Sequence, residues 1–139
     1  MDFRIKVGLF FVVTHFIILA WVLICKFMGG YTFEEMTTLI ALLIPMFASY
    51  STVMIKDIVK NAEVDQTNKV VYTAQFKFLT LFLCILFFGF LFTVIFLKAF
   101  NYGFEDFEQL KLTVGILESM FGAYVGQFIF SMYKAPNKH

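Results

Sequence analysis

Apolar and polar positions fall into long blocks along the chain, not into short alternations. Four stretches carry no Lys, Arg or Asp: Val7–Cys25 (19 residues), Met36–Ile55 (20), Phe78–Leu97 (20) and Leu112–Tyr133 (22). Only the last holds a carboxylate, Glu118. A helix needs about 20 apolar residues to cross a bilayer core. In lipid only helices and closed barrels satisfy every backbone polar group, and these runs lack the period-two alternation of barrel strands. The pattern therefore predicts an all-α membrane protein with one domain over residues 1–139. Four transmembrane helices are expected at about 6–27, 36–56, 76–98 and 110–133, with a central loop at about 57–75.

Composition sharpens this reading. Hydrophobic residues make up 60% of the 139, Phe alone contributes 21, and charged residues reach only 15%, against about 25% in ordinary soluble domains. A globule this small has too little interior to hide so much apolar surface, so the lipid bilayer is the expected partner. The first run follows Arg4 and Lys6 as a signal peptide would, but it is too long for an h-region and has no small-x-small cleavage site after it. It is read as a retained span.

The basic residues orient the spans. Arg4, Lys6, Lys56, Lys60, Lys69, Lys77, Lys134 and Lys138 fall on one side, and Lys26, Lys98 and Lys111 on the other. Cytoplasmic segments carry the excess of Lys and Arg. Both termini and the central loop are thus expected in the cytoplasm, in the setting of a bacterial inner membrane. The opposite loops are acidic, with Glu34 and Glu35 in one and Glu105, Asp106 and Glu108 in the other. A net charge of +1 without a separate basic stripe argues against a nucleic-acid partner. Cys25 and Cys84 fall about 18 Å apart in depth at helical rise, too far for a disulfide.

Two motifs recur. Tyr31-Thr32-Phe33-Glu34-Glu35 is echoed by Tyr102-Gly103-Phe104-Glu105-Asp106, and Pro45-Met46-Phe47-Ala48-Ser49-Tyr50 by Ser119-Met120-Phe121-Gly122-Ala123-Tyr124. Each pair occupies the same place in a helical hairpin. Duplication of a hairpin, spans one and two repeated as three and four, would produce parallel repeats about an axis normal to the membrane.

Small and polar residues concentrate on two spans. In span two, Thr38, Ala41, Pro45, Ala48, Ser49 and Thr52 share one arc of the helix, and in span four Gly115, Glu118, Ser119, Gly122 and Gly126 do the same. Gly122 and Gly126 form a GxxxG pair, and such small residues let backbones approach closely in lipid. The arcs suit an oligomer seam or pore lining, or else packing of spans two and four within one chain. Pro45 should bend or loosen span two. Span three is ringed by Phe78, Phe82, Phe87, Phe88, Phe90, Phe92 and Phe96, which predicts that it lies outside with spans two and four inside.

Ionisable groups in a span usually face a bundle interior or water. Glu118 and His15 are the two deep in this chain, and Thr14 and Ser119 are candidates to join them in a polar network. The same groups could form a structural clamp. No nucleophile elbow, phosphate loop or metal-ligand spacing occurs, so neither an enzyme nor a bound cofactor or metal is expected.

Three functions remain open on these residues. The chain could form a homo-oligomeric pore or membrane-perturbing assembly, similar in architecture alone to holin-like and phage-defence membrane effectors. It could anchor a soluble cytoplasmic partner through the central loop. It could be an ion-coupled carrier built around Glu118. The orientation itself is testable: a single cysteine at Asp65 should react with an impermeant thiol reagent only from the cytoplasmic side, and one at Asp106 only from outside. The reverse pattern at either position would contradict it.

Overall fold

The computed structural model describes residues 3–62 and 72–134. Four helices account for nearly all of them: α1 (Phe3–Phe27), α2 (Phe33–Ala62), α3 (Ala74–Ala99) and α4 (Phe107–Lys134). No strand occurs among the described residues. Each helix is long and apolar enough to cross a membrane. Residues 63–71, the middle of the expected docking loop, lie outside the described residues.

The helix starts are set by local chemistry. At α2 the Thr32 hydroxyl accepts from the Glu35 N–H at 3.2 Å while the Glu35 carboxylate accepts from the Thr32 N–H at 2.7 Å, a reciprocal capping box. At α4 the Asp106 carboxylate accepts from Gln109 N–H at 2.9 Å and the Gln109 side chain accepts from Glu105 N–H at 3.1 Å. Thr73 caps α3 by accepting from Phe76 N–H. The two caps fall at different places in the two outer-loop motifs: Thr32 is the second residue of its motif and Asp106 the fifth of its own. The two leading tyrosines are not equivalent: Tyr31 is buried and donates to the Ile95 carbonyl of α3 at 2.6 Å, whereas Tyr102 is 66% exposed. Burial lifts the Tyr31 phenol above its ordinary pKa, with smaller contributions from Cys25 and Glu35, so it acts as a neutral donor.

Around the bundle α1 packs on α2 and α3, and α4 packs on α2 and α3. This places α1 opposite α4 and α2 opposite α3. The two hairpins lie side by side, like helix against like helix. A two-fold axis along the bundle would instead set α1 diagonal to α3, so the pairing does not support the expected symmetric repeat.

All four helices supply the core, and the expectation that span three lies outside is corrected. Cys84, Phe87, Leu91 and Ile95 of α3 are completely buried. A helix apolar all round gives no sign of which side packs, and α3 has phenylalanines both inward and outward. Towards the hairpin-loop end each helix contributes two aliphatic residues one turn apart: Ile18 and Val22, Leu39 and Leu43, Leu91 and Ile95, Leu110 and Val114, none more than 2% exposed. Towards the terminus-bearing end the core is aromatic and polar, with Phe11, His15, Tyr50, Thr80, Phe87 and Phe88.

The α1–α2 turn closes tightly on α3. Gly29 takes the left-handed conformation (φ 83°) that L side chains resist. A Cβ on Gly30 would sit 2.6 Å from the Ala99 carbonyl oxygen, a contact with backbone that cannot swing aside. Gly30→Ala should therefore cost about 1–3 kcal/mol and lower the melting temperature in detergent. Gly89→Ala, whose Cβ meets nothing within 4 Å, should leave it unchanged or raise it. Equal melting temperatures for Gly30→Ala and wild type would contradict this packing.

Candidate functional site: the edge formed by α2 and α4

The expected small-residue arcs separate into two surfaces. On α4, Gly122 and Gly126 receive the Tyr50 side chain of α2. Its hydroxyl donates to the Gly122 carbonyl at 2.8 Å and lies 2.8 Å from where a Cβ on Gly126 would stand. The Tyr50 ring packs edge-on against Phe11 at 5.2 Å and tilted against Phe130 at 5.9 Å. This half of the GxxxG reading is packing within one chain. The Tyr50 hydroxyl needs the space that Gly126 leaves, whereas a Cβ at Gly122 would meet it at an ordinary 3.9 Å; the GxxxG spacing alone does not distinguish this from helix-on-helix contact.

On α2 the arc points the other way. Ala41, Pro45, Ala48, Ser49 and Thr52 are all exposed on the bundle's perimeter, with Thr38 half-buried, so they are not inside as expected. Helix α2 continues through Pro45. Proline lacks the N–H that would bond the carbonyl four residues earlier, which leaves the Ala41 carbonyl without that helical partner on the same exposed strip. Gly115 of α4 has nothing within 4 Å of its Cβ position, and Ser119 beside it is exposed. The hydroxyls do not form the expected network. Thr14 donates to Phe10 O, Ser49 to Pro45 O, Thr52 to Ala48 O and Ser119 to Gly115 O, each within its own helix at 2.7–2.8 Å.

His15 and Glu118 also do not pair. They stand on α1 and α4, the helices at opposite corners. His15 Nε2 and Glu118 Oε1 are both buried without a hydrogen-bond partner. His15 sits among phenylalanines, with Phe11, Phe88 and Phe47 ring centres at 4.5, 4.9 and 5.2 Å, and its Nδ1 is 3.3 Å from the Phe11 carbonyl. Glu118 is half-buried on α4, one turn before Gly122.

The perimeter is consequently two-sided. The edge formed by α1 and α3 presents mainly Leu9, Val13, Phe16 and Ile17 and Phe78, Phe82, Ile85 and Phe90, interrupted by Ala20, Gly89 and Thr93. Surface rings even stack on one another, Phe78 on Phe82 at 6.0 Å. The opposite edge presents the small α2 strip together with Ser119, Ala123, Gln127 and Ser131 of α4, interrupted by Ile44, Leu112, Ile116 and Met120. Above it a cleft of about 400 Å³ opens between the starts of α2 and α4, lined by Glu34, Glu35, Glu108 and Lys111 among others, with Glu108 ion-paired to Lys111 at 2.6 Å. Among the described residues no group of three or more His, Cys, Asp or Glu could hold a metal.

These features define an all-helical protein with four helices fit to cross a bilayer, which marks it as a membrane protein. No family model matches the chain, and neither a curated protein nor a solved structure is significantly similar to it.

If the Gly122–Gly126 notch serves Tyr50, the two are energetically coupled. Gly126→Val should destabilise the folded protomer by about 1–3 kcal/mol through overpacking. In a Tyr50→Ala background the same change should cost much less, a non-additivity that thermal unfolding of the four variants would reveal. Strict additivity would remove Tyr50 from the notch.

Proposed function

We propose that this protein is a homo-oligomeric membrane assembly whose α2/α4 edges face one another and enclose a water path. It acts as a pore or membrane-perturbing effector in a cell membrane, with its termini and central loop on the cytoplasmic side. The observation that carries this reading is the two-sided perimeter. Lipid accommodates the large side chains of the α1/α3 edge. It offers nothing to the free lone pairs of Ser49, Thr52 and Ser119, to the Gln127 amide or to the Ala41 carbonyl, because polar groups in hydrocarbon go unsatisfied at a cost of several kcal/mol each. A second copy, or water held between copies, offers both close contact with small residues and hydrogen-bond partners.

The route also follows by elimination inside the protomer. Eight buried aliphatic side chains fill the hairpin-loop half of the core, so a path through the middle of one bundle is closed. Passage between protomers places the α2/α4 edge, with Glu118 at its border, along the path.

Single cysteines test this directly, in a background lacking Cys25 and Cys84. Ala41→Cys and Ala48→Cys should form disulfide-linked dimers in membranes, and Val13→Cys and Ile85→Cys on the other edge should not. Ion flux from liposomes should accompany the assembly, and Glu118→Gln should change its rate or selectivity. Crosslinking confined to Val13 and Ile85 would refute the edge, and no flux from assembled wild-type protein would refute the pore.

A further inference from the structure

Charge is divided unequally between the helices. Helices α1 and α3 contain no Asp or Glu. Every carboxylate among the described residues belongs to α2, to α4 or to the turn before α4. Helices α1 and α3 both start at the terminus-bearing face and pack on one another, and each carries a lysine in its first turn, Lys6 and Lys77. The Phe3 ring links the two: Lys77 Nζ lies 5.8 Å from its centre, and Lys6 follows Phe3 by one turn of the same helix. Tyr72 packs on Phe3 at 5.8 Å and stacks on Phe76 at 5.3 Å, and its hydroxyl donates to the Met132 carbonyl at 3.4 Å. Amphipathic rings such as tyrosine gather at the level of lipid headgroups.

A helix start ordinarily attracts acidic residues, and its dipole opposes a cation. Asp57, the one described carboxylate at this end of the bundle, stands on α2, diagonal to α3. The lysines at the other end of the same edge are placed differently. Lys26 and Lys98 occupy the last turns of α1 and α3, where the dipole favours them. Lys98 is only 9% exposed, and the acidic residues Glu34, Glu35, Glu105 and Asp106 belong to that end. The terminus-bearing end has no such compensation. Its lysines instead lead into apolar surface: Lys6 is exposed and is followed on its face by Leu9 and Val13, and Lys77 is followed by Phe78, Leu81 and Ile85, all exposed. Positive charge at headgroup level above an apolar edge complements a molecule with an anionic head and acyl tails.

We infer that the α1/α3 edge holds a diacyl lipid with an anionic phosphodiester headgroup, its phosphate at Lys6 and Lys77 and its acyl chains along the apolar strips below them. Basic pockets between membrane helices hold such headgroups, and a lysine ammonium serves phosphate as a point charge. The site lies opposite the α2/α4 edge and stands whether or not that edge assembles.

Spin-labelled phosphatidylglycerol and phosphatidylcholine, compared in phosphatidylcholine membranes holding the full chain, test this. In the motionally restricted population the wild type should prefer the anionic lipid by at least about threefold. Lys6→Gln with Lys77→Gln should bring the ratio close to one. Lys56→Gln with Lys134→Gln removes the same charge from the same face and should keep the preference. Equal loss in both pairs would overturn the site in favour of general surface charge, and no preference in the wild type would overturn it outright. In detergent, phosphatidylglycerol should raise the melting temperature of the wild type and inorganic phosphate should not; equal protection by phosphate would overturn the lipid as occupant. Photoreactive phosphatidylglycerol needs no substitution. It should label wild-type peptides containing Lys6 or Lys77, and labelling confined to α2 and α4 would overturn the site even if the variants failed to fold.

Discussion

Hiding a leucine gains a membrane helix almost nothing, because lipid is as apolar as a protein core. Close approach of small residues and the pairing of polar groups therefore decide which helix surfaces meet. In this chain that constraint converges on Tyr50. Its hydroxyl must find an acceptor without water and finds the Gly122 carbonyl, and its ring needs the room that Gly126 leaves. With Tyr50 seated there, α2 lies beside α4, and the two short hairpin turns then leave α1 beside α3. Tyr31 repeats the device at the other end, donating to Ile95 while Gly30 rests on the Ala99 backbone.

That placement has a consequence for the outside of the bundle. Putting the Tyr50 side of α2 inward turns the Ala41, Pro45, Ala48, Ser49 and Thr52 strip outward. The strip ends up beside the exposed polar residues of α4 and opposite the phenylalanine-rich edge of α1 and α3. The molecule therefore meets its surroundings with two unlike edges, one suited to acyl chains and one suited to other protein or water. With the aliphatic tier closing the interior, the water path proposed above runs between copies.

The number and type of the helices were legible in the sequence, because uninterrupted apolar length is a direct requirement of the bilayer, whereas α2, expected at 36–56, runs from Phe33 to Ala62. Where each helix faces was not. Span three carries phenylalanine on every side, so its periodicity could not reveal that Phe87 is buried while Phe90 is exposed. The small residues of span two were correctly gathered on one arc, yet nothing in a single sequence says whether a small arc packs within a chain or between chains. The Gly122–Gly126 pair answered one way and the Ala41–Thr52 strip the other. Depth alone brought His15 and Glu118 together, and helix order, which depth does not encode, keeps them apart. The Thr32–Glu35 box follows from its spacing alone, whereas the like motif before α4 places its cap three residues later, at Asp106.

The central claim is that conduction arises between protomers and not through one. Ion flux from liposomes reconstituted over a range of protein-to-lipid ratios tests it most directly, with the fraction of vesicles holding a given number of copies counted by single-molecule bleaching. The account predicts no flux from vesicles with one copy and a rise steeper than linear as copies are added. Flux already present at one copy and proportional to copy number would contradict it.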